Sequence, residues 1–371
     1  MKIPRRLVGL CLFLCAAAIG TPSVLRAQGL TQALQTIPAQ FSDGSSASLE
    51  ALLVRPTGPG PFPIAIVSHG SPRDAADRAT MTPLRFGPQA QEFARRGWAT
   101  LVVMRRGYGG SSGGFVESNG SCDNPNYVQS GERSADDIRQ AIQYMARQPF
   151  ADASRVIAVG VSAGGLASVA LSANPPPGLA AVINFAGGRG SRGDNDVCKA
   201  DRLVSAFGVF GRTSRVPHLW IYSENDLFFW PELAHRFHAA FTQSGGRAEF
   251  IDAPANGKDG HHLFTAAMPV WTPYVDRFLA ANGLAPRKSL IALPESRLSP
   301  PPELAERNRQ GFLDYLAAPD HKAFAIAPDG AFGWKSGQRD QAVARQGALD
   351  NCNKHTQKGC RIAVVNDTPM R

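Results

Sequence analysis

This 371-residue chain is notable first for what it does not carry. No run of basic residues is dense and interleaved with aromatics, so a net charge of +9 leaves no nucleic-acid footprint. The six cysteines include no close Cys-x-x-Cys, which argues against a zinc site, and no other metal is expected. The glycine-rich stretch 160–165 lacks the Lys-Ser/Thr of a phosphate loop. The stretch 107–114 follows a predicted strand but opens no helix with a ribose-binding acid. Neither reads as a nucleotide site, and no cofactor is expected. The apolar run 7–19 is too short to span a bilayer comfortably. With 43% hydrophobic and 19% charged residues, the chain is globular rather than disordered, and long enough for one large or two unequal domains.

Lys2, Arg5 and Arg6 precede that apolar run, and a polar stretch ends in Leu25-Arg26-Ala27. This is the form of a secretory signal peptide over 1–27, cleaved near Ala27. Leu12-Phe13-Leu14 ahead of Cys15 is a poor match for a lipoprotein site. Cleavage removes four basic residues and no acids, lowering the net charge from +9 to +5. The expectation is a periplasmic or secreted protein with no membrane association after cleavage. Four cysteines remain: Cys122, Cys198, Cys352 and Cys360. An even number in an exported chain suggests disulfides. Of three pairings, Cys122–Cys198 with Cys352–Cys360 is the one that stays within domains.

From residue 28 to 283, apolar blocks alternate with helical patterns. The blocks 63–67, 98–104, 156–161, 179–185, 217–223 and 247–253 read as strands, after a meander at 41–57. Most are solidly apolar, as a mostly parallel sheet covered on both faces requires, so an α/β doubly wound domain is expected. Residues 284–302 are rich in Pro, Arg and Ser and read as a linker. Residues 303–371 suggest a small cysteine-containing module: a helix at 303–317, then a β-α-β unit with strands at 322–327 and 360–365.

The organising stretch is 156–165, Val-Ile-Ala-Val-Gly-Val-Ser-Ala-Gly-Gly. A strand stops at Gly-x-Ser-x-Gly and a small-residue helix follows, the form of a nucleophile elbow with Ser162 at its corner. Chance alone would give this pentapeptide roughly a quarter of a time in so glycine-rich a chain, so its context carries the weight. A serine hydroxyl is a weak nucleophile and needs a base and a group to orient that base. In elbow enzymes these follow in the order acid, then His. Asp226, just past the 217–223 strand, is the expected acid, with Glu224 as fallback. His261, following Gly260, is preferred over His262 because a base on a tight loop needs a small neighbour. His235 and His238 fall in a helical pattern and read as structural. The oxyanion donors expected are the backbone N–H groups of Ala163 and Ser71, with Gly70 next, because Pro72 has none. His69 reads as a brace of that loop. Arg105, Tyr108 and Trp230 are the candidate substrate-binding residues, Arg105 and Arg106 lying at a strand's C-terminal end. Phe228 and Phe229 join Trp230 as candidate walls of an acyl pocket.

The 68–70 strand end, the Arg106-Gly107-Tyr108-Gly109 loop, Gly160-Val161-Ser162-Ala163-Gly164-Gly165, Asn225-Asp226 and the 259–264 loop together resemble the α/β-hydrolase superfamily over about residues 40–283. Within it the chain is similar to dienelactone hydrolase-like proteins. Those usually carry a cysteine nucleophile, and Ser162 stands in its place. The resemblance therefore implies a general serine esterase acting on a small-molecule ester through a Ser162–His261–Asp226 triad. The Gly-x-Ser-x-Gly-Gly form also resembles prolyl-oligopeptidase-type peptidases, though no propeller precedes the domain, which makes a peptidase or amidase the alternative. A non-catalytic binding protein working through residues 303–371 is the reading furthest from these. The segment 325–365 resembles small cysteine-paired modules appended to exported bacterial proteins.

Overall fold

A computed structural model of the chain describes residues 25–27, 29–293, 296 and 298–370. The expected signal peptide falls outside that set except for its last three residues, which form strand β1 (Leu25–Ala27). β1 pairs antiparallel with β2 (Leu30–Gln40), and β2 forms a long hairpin with β3 (Ser46–Pro56). There follow β4 (Phe62–Ser68), α1 (Gly87–Arg95), β5 (Ala99–Val103), α2 (Tyr127–Ala146), β6 (Ala151–Val161), α3 (Ala163–Ala173) and β7 (Leu179–Phe185). A short hairpin, β8 (Ser191–Gly193) and β9 (Asp196–Val197), leads to α4 (Ala200–Gly211) and β10 (Pro217–Ser223). Next come α5 (Pro231–Gln243), β11 (Arg247–Ala253), α6 (Leu263–Ala266) and α7 (Met268–Ala281).

The main sheet runs β1-β2-β3-β5-β4-β6-β7-β10-β11. From β5 to β11 every neighbouring pair is parallel, and the β1–β3 edge is antiparallel. Period-two alternation splits the core into two layers. Ile64, Ile66, Val156 and Ala158 pack with α2–α5 residues, whereas Ala65, Val67, Ile157 and Val159 pack with α1 and α7. Both faces are covered, which is why these strands are apolar throughout. This is the α/β-hydrolase fold, and its parallel strands all point their C-terminal ends at one edge. Ligands bind along that edge in open α/β sheets, and it carries residues 68–71, 162 and 223–226.

The C-terminal part departs from the expected β-α-β unit. It contains α8 (Arg309–Ala317), β12 (Ala323–Ile326), β13 (Phe332–Lys335), α9 (Gln341–Asn353), β14 (Arg361–Val365) and β15 (Thr368–Pro369). Its sheet is antiparallel, in the order β13-β12-β14-β15. The Pro328-Asp329-Gly330 turn, with Gly330 at φ 83°, makes a hairpin of β12 and β13 before the helix starts. The helix expected over 303–317 begins only at Arg309, after a 3-10 turn. One face of this sheet buries Ala323 and Ala325 against Ala344, Ala348 and Cys352 of α9, and the other buries Phe324 and Ile326 against Phe312 and Tyr315 of α8. The stretch 284–293 lies along α1, where Ile291 exchanges hydrogen bonds with Arg95. Disulfides join Cys122 to Cys198 and Cys352 to Cys360. Among the described residues no helix is long and apolar enough to cross a membrane.

Candidate active site

β6 ends at Val161, and Ser162 turns the chain into α3 with φ 55° and ψ −121°. A non-glycine residue in this region costs about 1–3 kcal/mol and persists only where its surroundings impose it. Here they do. A Cβ on Gly160 would lie 2.0 Å from the Gly164 carbonyl oxygen, and one on Gly164 would lie 2.1 Å from that of Ser68. The Ser162 N–H donates to Phe185 O at 3.0 Å, and its carbonyl accepts from Gly188 N–H at 3.0 Å. The corner is held from both neighbouring strand ends.

Asp226 follows β10 and is buried. Its Oδ1 accepts the N–H groups of Phe228 and Phe229 at 2.8 and 2.9 Å. His261 Nδ1 lies 3.1 and 3.0 Å from its two carboxylate oxygens. An acceptor-only carboxylate places the proton on Nδ1, leaving Nε2 with its lone pair. Gly260 makes this approach possible, because a Cβ there would lie 2.4 Å from both Asn225 Oδ1 and the Ser223 side chain. Asp259 accepts the His261 and Leu227 N–H groups at 2.9 and 3.0 Å, tying the two loops together. Phe228 stacks on the His261 ring with centroids 3.9 Å apart, and Arg73 covers the other face of Phe228 at 3.6 Å. His262 and Glu224 are exposed, and among the described residues the side-chain partner of Asp226 is His261. His261 makes no hydrogen bond of 3.5 Å or less to Ser162.

The loop after β4 brings Gly70 against the nucleophile candidate: a Cβ on Gly70 would lie 3.1 Å from Ser162 Cβ. His69 is fully buried. Its Nε2 accepts the Arg105 N–H at 3.0 Å, and its Nδ1 lies 2.6 Å from Gly70 O. Burial, then the nearby Arg105 charge, holds its pKa well below the usual histidine range, so it stays neutral. His69 braces the loop.

Beneath this loop lies a buried ion cluster that sequence reasoning missed. Glu117 accepts from Arg105 Nε and Nη2 at 2.6 and 3.1 Å, from Ser134 Oγ at 2.6 Å, and from Arg189 Nη2. The Tyr108 hydroxyl bonds both Glu117 Oε1 and, at 2.9 Å, Ser71 Oγ. Burial alone would raise the Glu117 pKa, but the Arg105 and Arg189 charges outweigh it and hold the carboxyl well below the ordinary range. Arg105 also donates to Ser68 Oγ at 2.7 Å and His69 O at 2.6 Å. Arg106 is likewise paired, with Asp137 at 2.7 Å.

A cavity of about 180 Å3 opens at this edge. Ser162, Ala163 and Ser71 form one wall, and Arg73, Phe115 and Arg189, with Phe228 and Phe229, form the others. The N–H groups of Ala163 and Ser71 have no acceptor among the described residues. Phe228 and Phe229, expected as pocket walls, line it, whereas Arg105, Tyr108 and Trp230 do not. Arg105 and Tyr108 are fully buried beneath the loop, spent on Glu117, and Trp230 precedes α5, half-buried against the core. Arg189 follows β7 in a Gly-Gly-Arg-Gly run, a strand-end signal of the same kind as Arg105. Glu117 sits in irregular chain with no periodicity to mark it. A larger cavity, about 350 Å3, opens beside Tyr127 and Arg202, away from Ser162. Among the described residues no cluster of His, Cys, Asp and Glu could hold a metal ion.

The profile of the X-Pro dipeptidyl-peptidase (S15) family matches residues 43–216, a span that holds Ser162 and stops before Asp226 and His261. No curated protein matches the chain. Among solved structures, it is similar to a Klebsiella pneumoniae protein provisionally described as a dienelactone hydrolase. Identity is 17% and the TM-score 0.48, over 69% of this chain and 99% of that one. Esterase 2 of Thermogutta terrifontis, solved with butyrate bound, shares 19% identity at a TM-score of 0.47, over 69% and 96% of the two chains. An esterase of Pyrococcus furiosus shares 12% at 0.47, over 67% and 90%. At this level of likeness the neighbours carry no weight on activity.

Proposed function

We propose that this chain, a member of the α/β-hydrolase superfamily, is an exported serine hydrolase that cleaves carboxylic esters through an acyl-Ser162 intermediate. The observation that carries the reading is the buried Asp226–His261 pair, at 3.0 Å, whose Nε2 is left free at the sheet edge that holds the Ser162 elbow. His261 Nε2 takes the Ser162 proton as Oγ attacks the ester carbonyl. The carbonyl oxygen becomes an oxyanion between the Ala163 and Ser71 N–H groups, and Asp226 stabilises the imidazolium that forms. Collapse breaks the ester C–O bond, and the imidazolium returns its proton to the departing alkoxide. Water, deprotonated by the same Nε2, then attacks the acyl carbon and releases acid and free Ser162.

The S15 match favours a second reading, a peptidase on the same three side chains. Ser162→Ala should abolish turnover of a short p-nitrophenyl ester and labelling by a fluorophosphonate. Retained turnover would sink the assignment of Ser162. Hydrolysis of X-Pro p-nitroanilides at rates matching the esters would favour the peptidase. A folded wild-type protein that resists the fluorophosphonate would favour a non-catalytic role. Export is supported by the basic and apolar N-terminal pattern and by two disulfides. N-terminal sequencing of the mature protein should begin near residue 28, and a chain still starting at Met1 would refute it. In the same reading 28–283 is the hydrolase domain and 303–371 an accessory module.

A further inference from the structure

The C-terminal module meets the hydrolase domain beside the active-site loop. Arg339 lies in the turn before α9, and its guanidinium grips Glu50 of β3 with both terminal nitrogens, each at 3.1 Å. Nη2 also donates to Met81 O at 2.9 Å. The arginine's own position is set from behind: His321 Nδ1 lies 3.0 Å from Gln338 O and 2.9 Å from Arg339 O, with His321 at φ 54°. The grip closes over two glycines. A Cβ on Gly109 would lie 2.6 Å from Met81 O, 2.7 Å from Glu50 Oε2 and 2.8 Å from Arg339 Nη2. The Gly110 N–H donates to the same Glu50 Oε2 at 2.7 Å.

Immediately before Gly109 stands Tyr108, whose hydroxyl holds Ser71 Oγ. The neighbouring stitches follow the same line: Ser111 Oγ donates to Met104 O at 2.7 Å, and the Glu50 N–H donates to Ser111 Oγ at 2.9 Å. Glu50 is therefore the post on which the 107–112 loop hangs, and Arg339 is its only cationic partner among the described residues. Without the guanidinium, a carboxylate with 19% of its side chain exposed would turn toward water and release Gly110.

We infer that Arg339 is a positioning residue for the hydrolytic site, acting through Glu50 and Tyr108 on the Ser71 oxyanion donor. The inference rests on the esterase reading above. Losing an oxyanion donor costs about 100- to 1,000-fold in kcat, and loosening one costs less, so about 10-fold is expected. The charged fork matters to the transition state and not to substrate capture, so KM should stay within about twofold.

The test compares full-length wild type, Arg339→Ala, Arg339→Lys, Glu50→Gln and Gln32→Ala. Each is assayed for p-nitrophenyl acetate kinetics, fluorophosphonate labelling rate and melting temperature. Gln32 bonds the module at Asp320 (3.1 Å), away from the loop, and serves as a docking control. Arg339→Ala and Glu50→Gln should lower kcat and the labelling rate about 10-fold. Arg339→Lys should recover part of this, since one ammonium can meet Glu50 but cannot fork, and Gln32→Ala should retain wild-type kcat. Wild-type kcat in Arg339→Ala would overturn the inference. So would an equal fall in Gln32→Ala, or unfolding of both Arg339→Ala and Glu50→Gln, because the contact would then be a general tie. A wild-type protein that takes no label at Ser162 would instead refute the hydrolase reading itself, and this inference with it.

Discussion

Glutamine in place of Glu117 keeps the shape of the side chain and removes its charge. Arg105 and Arg189, exposed by no more than 7%, would then share one neutral amide where they now share a carboxylate. Removing one partner of a buried pair costs about 3–5 kcal/mol, because the remaining charge is left uncompensated. For a chain this large, 1 kcal/mol moves the melting temperature by about 2 °C, so Glu117→Gln should melt about 6–10 °C lower at pH 7. The Glu117 carboxyl is held well below its ordinary pKa in the folded protein. Its charge-linked stabilisation is therefore complete above the unfolded value of about 4.3 and lost as pH falls from there through the lower folded value. The gap between wild type and variant should be full at pH 7 and narrow below about pH 4. Calorimetry from pH 3 to pH 7 reads both quantities. A gap under about 2 °C at neutral pH, or one that widens on acidification, would refute the role given to the cluster.

Asp226→Asn should lower kcat by about 10,000-fold with the fold intact, because an amide in that place can stabilise the wrong His261 tautomer; esterase kinetics beside a circular dichroism spectrum check it. Gly260→Ala forces a Cβ to within 2.4 Å of Asn225 Oδ1, so His261 must shift. A displacement of about 1 Å should cost about 100-fold in kcat with KM little changed. In the chain-entropy treatment, the Cys122–Cys198 bridge closes 76 residues and contributes about 4.5 kcal/mol, against about 2.5 kcal/mol for the 8-residue Cys352–Cys360 loop. Paired Ser variants compared by denaturant unfolding should preserve that order.

What could be read before the structure was whatever local sterics dictate. Gly160 and Gly164 announce the elbow because no other residue survives the backbone contacts at 2.0 and 2.1 Å. Gly260 points to His261 over His262 for the same reason. The alternating apolar blocks gave the parallel strands because burial on both faces leaves no polar position to confuse the pattern. Arg105 shows where such reading stops. An arginine at a strand's end looks the same whether it awaits a ligand or is bound to Glu117, twelve residues on in irregular chain. β2 is hard to read in the sequence because only three of its eleven residues are buried, with Pro38 within it, and it is held by pairing with β3 along its whole length. β13 was missed because Phe332-Gly333-Trp334-Lys335 is too short to show a period, and the hairpin follows from the Gly330 turn.

The two contacts between the module and the first strands have a consequence for the order of synthesis. Gln32 waits 288 residues for Asp320, and Glu50 waits 289 for Arg339. Both early residues leave the ribosome long before their partners exist. Contacts between residues so far apart in sequence are slow to form, because closing so long a loop of disordered chain costs entropy before the contact rewards it. Export in an unfolded state would postpone these contacts until after translocation. A chain released early, at any point before residue 339, would carry Ser162, Asp226 and His261 but not the last tie on the loop beside them. On this view the ties of residues 320 and 339 to β2 and β3 are late events in the making of the fold.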